Sequence, residues 1–327
     1  MTEVKLTFIY KMKLKISLLL LPLISLVSCS VSKEISRKSF YFDTYVDIRL
    51  FEGKVENLND INQIFSKIDK LTDNFTERNI DNIYKINRTN ENVVVEPELY
   101  DILNLSFSSN LASLNYFNPL CGSLSKKWKE SHENKAVLSE SVINEELTKM
   151  ASSGLELLGD NTVRRTGESE IDLGAVAKGY ALDKVKEYLD VKNIKKYLVD
   201  AGSSSILLGE KDGGKNFIVK VSNLPNSYLE LKNCFVSTSS LSRQFVEIEG
   251  QKYSHIINPN NGSAINLHEA VIVISDVGYI GDILSTDFVN ESIDSIKVLE
   301  QQFNVKTIVI DNSAIAYKTE GLEVVNK

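Results

Sequence analysis

The stretch EIDLGAVAKGYALDKVKEYL, from Glu170 to Leu189, predicts a loop of small residues that runs into a helix. After Asp172, the run Leu173–Ala177 holds only small or apolar side chains, and apolar residues then recur at helical spacing. Small residues let a ligand approach the backbone, and the first turn of a helix offers free N–H groups and a positive dipole end. With Lys178 in that turn, the segment suits a phosphate-bearing ligand. An ordinary tight strand-to-helix connection accounts for the same residues.

Residues 1–28 have the layout of a secretory signal. Closely spaced lysines precede an apolar run over residues 16–27, which is too short for a permanent membrane span. Cys29 then stands where a bacterial lipoprotein signal is cleaved, so we expect lipid on Cys29 and attachment to the outer face of a membrane in the cell envelope. Residues 29–39 would be a polar tether, and Met12 can serve as the start of such a signal. A simple N-terminal membrane anchor is the alternative.

Composition excludes several classes of protein. The formal net charge of −7 over 327 residues argues against nucleic acid or an anionic membrane face as the main partner. The three histidines are scattered and form no zinc-binding pattern with cysteine. Only Cys121 and Cys234 follow Cys29, so the chain has no disulfide framework, although an exported protein permits one bridge between them.

Hydrophobic patterning predicts one compact mixed α/β (α+β) domain over residues 40–327, with mixed sheets and flanking helices. Glycine and proline are few and dispersed, and no repeat or low-complexity linker divides the chain. The predicted helices cover residues 58–71, 98–115, 282–292 and 293–303. The predicted strands cover residues 40–50, 196–199, 205–208, 217–221, 234–237, 244–249, 270–275, 306–310 and 315–318.

Aromatic and tiny residues mark two further patches. The loop Tyr116-Phe117-Asn118-Pro119, with Trp128 downstream, offers rings that can stack on a planar ligand. The same rings can instead close a small satellite core. A turn of tiny residues, Ala201–Ser205, follows a predicted strand and either leaves space for a ligand or is simply a turn.

His255 stands in a short predicted strand just before a turn that contains proline and glycine. A lone histidine is more often a structural residue than a catalyst. Its neighbours Ser254 and Asn258, however, add polar groups at a strand end, where ligands commonly bind.

The segment GDILST, residues 281–286, places Asp282 and Thr286 four positions apart, so on a helix they share one face. A carboxylate and a hydroxyl are oxygen ligands that suit magnesium, which keeps waters or substrate phosphates as its other ligands. The alternative is that Asp282 caps the helix and Thr286 is passive.

These patches, in their order and wording, resemble the ApbE family, the FAD:protein FMN transferases, over nearly all of the sequence after the signal. The resemblance rests on IDLGAVAKGYALD, LVDAG, VSTSS, YSHIINP and GDILST, with YFNP, Trp128 and FDTY (residues 42–45) as weaker support. It implies a compact α/β enzyme that uses Mg²⁺ and FAD. Such an enzyme attaches FMN to a threonine of an exported or membrane flavoprotein, such as a subunit of a membrane redox complex, and releases AMP.

By position in these motifs, the resemblance implies a role for each matching residue. The implied magnesium ligands are the side chains of Asp282 and Thr286 and the backbone carbonyl of Ala175. The implied FAD contacts are Phe42, Tyr116, Phe117, Asn118, Asp172, Lys178, Ser285 and the backbone of Ile257. The implied catalytic groups are His255, as the general base for the acceptor hydroxyl, and Lys178, which stabilises charge during phosphoryl transfer.

The sequence also departs from the usual family pattern. Gly202-Ser203-Ser204 replaces Gly-Gly-Asp, asparagine replaces aspartate at Asn118 and Asn258, Gly281 and Ile283 replace alanines, and Arg78 replaces an aromatic residue after Phe75. None of these changes removes an implied magnesium ligand. They leave two alternatives open besides transfer, namely a magnesium-dependent FAD pyrophosphatase and a catalytically inactive flavin-binding lipoprotein. A generic solute-binding lipoprotein has no use for the metal pair.

Overall fold

The computed structural model describes residues 34–241 and 245–327, in which sixteen strands and eight α-helices form four sheets with helices packed against them. The helices are α1 (Val55–Thr72), α2 (Ile83–Ile86), α3 (Pro97–Ser106), α4 (Gly122–Asn134), α5 (Glu140–Ala151), α6 (Ala177–Val191), α7 (Gly278–Phe288) and α8 (Ile293–Phe303). The strands are β1 (Ile35–Tyr41), β2 (Thr44–Leu50), β3 (Val93–Val94), β4 (Gly154–Gly159), β5 (Thr162–Thr166), β6 (Tyr197–Ala201), β7 (Ser205–Leu208), β8 (Phe217–Lys220), β9 (Ser227–Leu231), β10 (Cys234–Ser240), β11 (Phe245–Ile248), β12 (Gln251–Ser254), β13 (Ala270–Ser275), β14 (Lys306–Asp311), β15 (Ala314–Lys318) and β16 (Val325–Asn326).

The largest sheet has eight strands in the order β1-β2-β6-β7-β10-β13-β14-β15, and each neighbouring pair is antiparallel. Smaller sheets have the orders β16-β9-β8, β3-β5-β4 and β11-β12. The prediction of one mixed α/β (α+β) domain with flanking helices is confirmed. The prediction of mixed sheets is wrong in one respect, because every pair of neighbouring strands in the described sheets is antiparallel.

Both faces of the large sheet are covered, and β13 shows how. Val271 and Val273 pack with residues of α7 and α8, whereas Ile272 and Ile274 pack in a cluster that includes the small sheet β16-β9-β8. Because neighbouring strand residues point to opposite faces, a strand with two covered faces is apolar throughout. A further core lies between β2 and β6 and the helices α1, α3 and α6. The sheet therefore holds α6 and α7 in fixed positions.

The predicted elements differ from the structure at three informative places. The predicted strand over residues 40–50 is a hairpin, because Phe42 and Asp43 adopt left-handed backbone angles (φ 50° and 55°) between β1 and β2. The predicted helix over residues 98–115 ends at Ser106. The helix predicted from residue 282 begins at Gly278. Helices α2 and α4 and strands β3, β4, β5, β9 and β16 have no counterpart among the predicted elements.

The predicted signal at residues 1–28 and the predicted lipidation site Cys29 lie outside the residues that the structure describes. β1 begins at Ile35, within the predicted tether. Among the helices described, none has the length and apolar character needed to cross a membrane.

Candidate active site

The candidate site forms where α6 and α7 approach each other through their backbones. A Cβ atom on Gly179 of α6 would lie 2.3 Å from the carbonyl oxygen of Gly278 in α7, and one on Gly278 would lie 2.4 Å from the carbonyl oxygen of Gly179. Glycine is therefore required at both positions. The close approach lets the Gly179 N–H group donate a hydrogen bond of 2.7 Å to Oδ2 of Asp282.

The Asp282 carboxylate is buried and held on both oxygens. Its Oδ1 accepts hydrogen bonds from the hydroxyls of Ser205 on β7 (2.7 Å) and Ser237 on β10 (2.6 Å). Burial raises the pKa of Asp282, and the positive charge of Lys178 together with these donors opposes that rise. Hydrogen bonds from three separate elements fix the orientation of this carboxylate.

Ser285 and Thr286 place two more hydroxyls beside Asp282. The Oγ of Ser285 and the Oγ1 of Thr286 donate to the Asp282 carbonyl oxygen, at 3.0 and 3.1 Å. Ser239 on β10 lies 3.0 Å from Ser285 and 3.5 Å from Thr286, measured between hydroxyl oxygens. The shared face predicted for Asp282 and Thr286 is confirmed by the span of α7. A hydroxyl that donates its proton to a carbonyl keeps its lone pairs for a cation.

Asp282 is not the cap of its helix, because α7 begins one turn earlier. Asp183 in α6, the last residue of the IDLGAVAKGYALD motif, caps the N-terminus of α7 instead. Its carboxylate accepts from the backbone N–H groups of Gly278 (2.7 Å) and Tyr279 (2.8 Å). Burial, with a contribution from the Asp282 charge, raises the pKa of Asp183 to about 6 despite these bonds. The cap comes from another helix, so sequence near residue 278 does not reveal it.

The raised pKa of Asp183 predicts how its contribution to stability depends on pH. The folded state binds this proton more tightly than the unfolded chain, so the unfavourable term is present above pH 6 and is relieved as pH falls from about 6 towards 4. We expect the unfolding free energy of wild type, relative to the D183N variant, to rise by about 1.4 kcal/mol between pH 8 and pH 5. Urea unfolding of both proteins at several pH values measures this. A difference that stays constant across the range contradicts it.

Asp172 and Lys178 flank the small-residue loop at the start of α6, as the sequence predicts. The half-buried Asp172 carboxylate accepts from the N–H group of Gly174 (2.8 Å), and partial loss of contact with water raises its pKa. The charges of Lys126 and Lys178 oppose that rise. Lys178, in the first turn of α6, therefore acts electrostatically on both Asp172 and Asp282. Two carboxylates, one ammonium group and a helix N-terminus meet at this point.

The loop Tyr116–Pro119, called the aromatic loop below, is hydrogen-bonded both to α7 and to Asp172. The N–H group of Tyr116 donates to Oδ1 of Asp287 in α7 (2.6 Å), and the N–H group of Asp172 donates to the Pro119 carbonyl (2.8 Å). The side-chain oxygen of Asn118 accepts from the N–H group of Leu120 (2.9 Å), a local turn that needs only one acceptor oxygen. The turn is thus compatible with asparagine in place of aspartate.

Trp128 belongs to a satellite core rather than to a ligand surface. Its ring stacks on Tyr253, with centroids 5.5 Å apart, and its Nε1–H group donates to the Gly262 carbonyl (2.8 Å). Both partners flank the segment that carries His255. Trp128 therefore packs α4 against the segment that carries His255.

His255 follows the end of β12 and is exposed. The next residue, Ile256, is buried in the same cluster as Leu284 of α7, while Ile257 packs with Trp128. Asn260 donates from Nδ2 to the Asn115 carbonyl (3.0 Å), which joins the turn after His255 to the aromatic loop. The predicted strand around His255 ends one residue before it, so the histidine lies on a connecting segment.

Phe42 occupies the tip of the β1–β2 hairpin and is fixed by α1. Its N–H group donates to Oδ1 of Asp69 (2.7 Å), and its ring meets Phe65 edge-on, with centroids 6.3 Å apart. Thr44 at the same tip packs against Gly202, since a Cβ on Gly202 would lie 2.5 Å from the Thr44 hydroxyl. The hairpin tip and the turn before Ser205 thus lie at one end of the sheet.

The donor set at Asp282 and Thr286 fits a hard cation. In the described parts of the chain, no cluster of three or more His, Cys, Asp or Glu side chains could hold a metal ion. One carboxylate and one hydroxyl suit magnesium, because this ion takes most of its ligands from water and phosphate oxygens. The roles of Asp282 and Thr286 as metal ligands, like those of the Ala175 carbonyl and the other implied site residues, stay predictions.

Comparison with known proteins shows the family to which the chain belongs. The model of the ApbE family matches residues 42–309. The chain belongs to the ApbE family. Among solved structures, the ApbE protein of Thermotoga maritima aligns with a TM-score of 0.75 at 24% identity, covering 90% of this chain and 97% of that one. The flavin transferase ApbE of Vibrio cholerae aligns with a TM-score of 0.73 at 19% identity, covering 88% and 97%. These likenesses establish the ApbE fold.

Two curated relatives carry the name FAD:protein FMN transferase. The protein of Treponema pallidum is 28% identical over 191 residues, which cover 52% of this chain and 53% of that protein. The protein of Klebsiella pneumoniae is 28% identical over 201 residues, which cover 59% and 62%. The chain therefore spans little more than half the length of these ApbE relatives in the alignments.

Proposed function

We propose that this protein is a magnesium-dependent FAD:protein FMN transferase. It attaches FMN through a phosphoester bond to a threonine of an exported or membrane flavoprotein and releases AMP. The observation that carries the proposal is the Asp282 carboxylate, buried and oriented by Ser205, Ser237 and Gly179 beside Lys178 and Thr286. The names of the relatives in the ApbE family support the same activity.

In this proposal Asp282 and Thr286 hold magnesium, which when bound neutralises charge on the FAD pyrophosphate. Lys178 and the N-terminus of α6 bind the same phosphates, because both present positive charge to the loop before the helix. Tyr116 and Phe117 hold the rings of FAD. These groups orient the phosphorus on the FMN side for in-line attack.

His255 takes the proton of the acceptor threonine at a ring nitrogen. A bond forms between the threonine oxygen and the FMN phosphorus, the bond from that phosphorus to the bridging oxygen breaks, and AMP leaves with the electron pair. The exposed position of His255 on a connecting segment suits contact with a second protein. The same exposure admits water, which supports FAD pyrophosphatase activity as the second candidate function.

We also propose that the protein works outside the cytoplasm, with residues 1–28 removed as a signal and lipid attached to Cys29. Membrane attachment would bring it close to membrane flavoproteins, such as a subunit of a redox complex.

Mass spectrometry of a candidate acceptor after incubation with FAD and Mg²⁺ tests the proposed activity. Transfer adds the mass of FMN to the acceptor and releases AMP, and omission of Mg²⁺ or addition of a chelator stops both. AMP release at the same rate without acceptor favours the pyrophosphatase. Intact FAD in every reaction would leave a protein that only binds flavin.

Replacement of His255 by alanine is expected to lower FMN transfer about 100-fold, the usual contribution of a general base. FAD binding should change little, because His255 has no proposed contact with FAD. Rates of acceptor labelling and equilibrium titration with FAD measure the two quantities. Gln251→Ala, at an exposed position of the preceding strand β12, is the control. Equal labelling by the H255A variant and wild type would remove His255 from the mechanism.

A further inference from the structure

Asp287 of α7 is a buried carboxylate outside the residues assigned to metal or FAD. Its side chain has no exposure to solvent, and Oδ1 accepts a short hydrogen bond of 2.6 Å from the N–H group of Tyr116. The N–H groups of Asn115 and Phe117 also face this carboxylate. Of these three N–H groups, that of Tyr116 donates the hydrogen bond to Oδ1, while Oδ2 of Asp287 has no hydrogen-bond partner in the described parts of the chain.

The same loop has two further attachments, both next to the candidate site. Glu291, one turn after Asp287, accepts a hydrogen bond of 2.5 Å from Nδ2 of Asn115. Asn260, in the turn after His255, donates to the Asn115 carbonyl (3.0 Å). The segment Asn115–Phe117 is therefore held between α7 and the His255 segment, while its own Tyr116 and Phe117 rings remain half-buried.

The position of Asp287 in α7 gives this contact a consequence. Asp287 directly follows Thr286 in α7. The residue that binds the aromatic loop therefore lies in the same turn of the helix as the candidate metal ligand. The hydrogen bond between Oδ1 of Asp287 and the Tyr116 N–H group joins this turn of α7 directly to the backbone of the loop. The burial of a second carboxylate, Glu291, beside it costs stability that an apolar residue would avoid.

We propose that Asp287 is a positioning residue that sets the backbone of Asn115–Phe117, and with it the Tyr116 and Phe117 rings, for FAD binding. It thereby ties the ring-binding loop to the turn of α7 that carries Thr286. The inference rests on the proposed function, in that FAD is the ligand of this loop.

The test compares wild type with D287N in the full chain. Asparagine has nearly the same shape but puts an NH2 group in place of one acceptor oxygen, facing backbone N–H groups of the loop, so the loop backbone is no longer held as it is in wild type. We expect the dissociation constant for FAD, measured in chelator without Mg²⁺, to rise at least 10-fold. In turnover assays the KM for FAD should rise by a similar factor while kcat stays within about 3-fold, a split that a partly unfolded enzyme does not produce. Asp294→Asn, the same change at an exposed position of α8, should leave both constants unchanged.

Hydrogen exchange of wild type tests the anchor even if D287N folds poorly. The amide protons of Tyr116 and Phe117 should exchange at least 10-fold more slowly than that of Gly213, which lies in an exposed turn. Equal FAD affinity in wild type and D287N, or unprotected amides at Tyr116 and Phe117, overturns the inference alone. Failure of wild type to bind FAD overturns the proposed function and the inference with it.

Discussion

Replacement of Asp282 by asparagine is expected to lower magnesium-dependent FAD turnover at least 1000-fold, about 4 kcal/mol of transition-state stabilisation. Asparagine keeps the shape of the side chain, and the hydroxyls of Ser205 and Ser237 can rotate to suit a neutral partner. It lacks the anionic oxygen that a hard cation requires. Turnover should therefore fall because the metal is lost, while the fold is kept.

Stability separates this explanation from simple damage to the fold. Burial raises the pKa of Asp282, so the ionised carboxylate costs folding free energy that the neutral amide does not. We expect the unfolding temperature of the variant without metal to equal or exceed that of wild type. Calorimetric titration with Mg²⁺ should show weakened binding in D282N and unchanged binding in D190N, a matched change on the surface of α6. Normal Mg²⁺ affinity in D282N would place the metal elsewhere.

The sequence predicts the two helices of the candidate site well because their signals are local. The small-residue loop with Lys178 and the spacing of Asp282 and Thr286 each lie within one segment, and α6 and α7 have the predicted character. The start of α7 is different, since its cap is Asp183 on another helix and Val277 at the cap position offers no side-chain oxygen. A helix start without a local cap has no sequence signature.

The parts of the site that come from the sheet could not be predicted from local pattern. Ser205 and Ser237 reach Asp282 only because β7 and β10 are neighbours, and serine in a strand carries no sign of its distant partner. The VSTSS motif contains Ser237 and Ser239, but the motif does not indicate that these hydroxyls contact Asp282 and Ser285. The β1–β2 turn was missed because Phe42 and Asp43 adopt left-handed angles without glycine or asparagine.

Replacement of Gly179 by alanine is expected to destabilise the protein by at least about 3 kcal/mol. The new Cβ atom would lie 2.3 Å from the carbonyl oxygen of Gly278, 2.6 Å from its carbon and 2.8 Å from the nitrogen of Tyr279. All three are backbone atoms, so no side chain can rotate away and α6 must separate from α7. That movement also stretches the Gly179 bond to Asp282 and the Asp183 bonds to the start of α7.

The expected loss of stability in G179A is opposite in sign to the usual effect of replacing glycine by alanine in a helix. Alanine favours a helix over glycine by about 1 kcal/mol, so without the close contact the G179A variant would be more stable than wild type. Gly281 is the comparison within α7, because the atoms closest to a Cβ there are the hydroxyls of Ser275 (2.7 Å) and Ser237 (2.8 Å), which can rotate at the cost of their own hydrogen bonds. Urea unfolding should therefore rank wild type above G281A and G281A above G179A. A G179A protein as stable as wild type would mean that α6 and α7 do not touch through their backbones, and the orientation of Asp282 would need another cause.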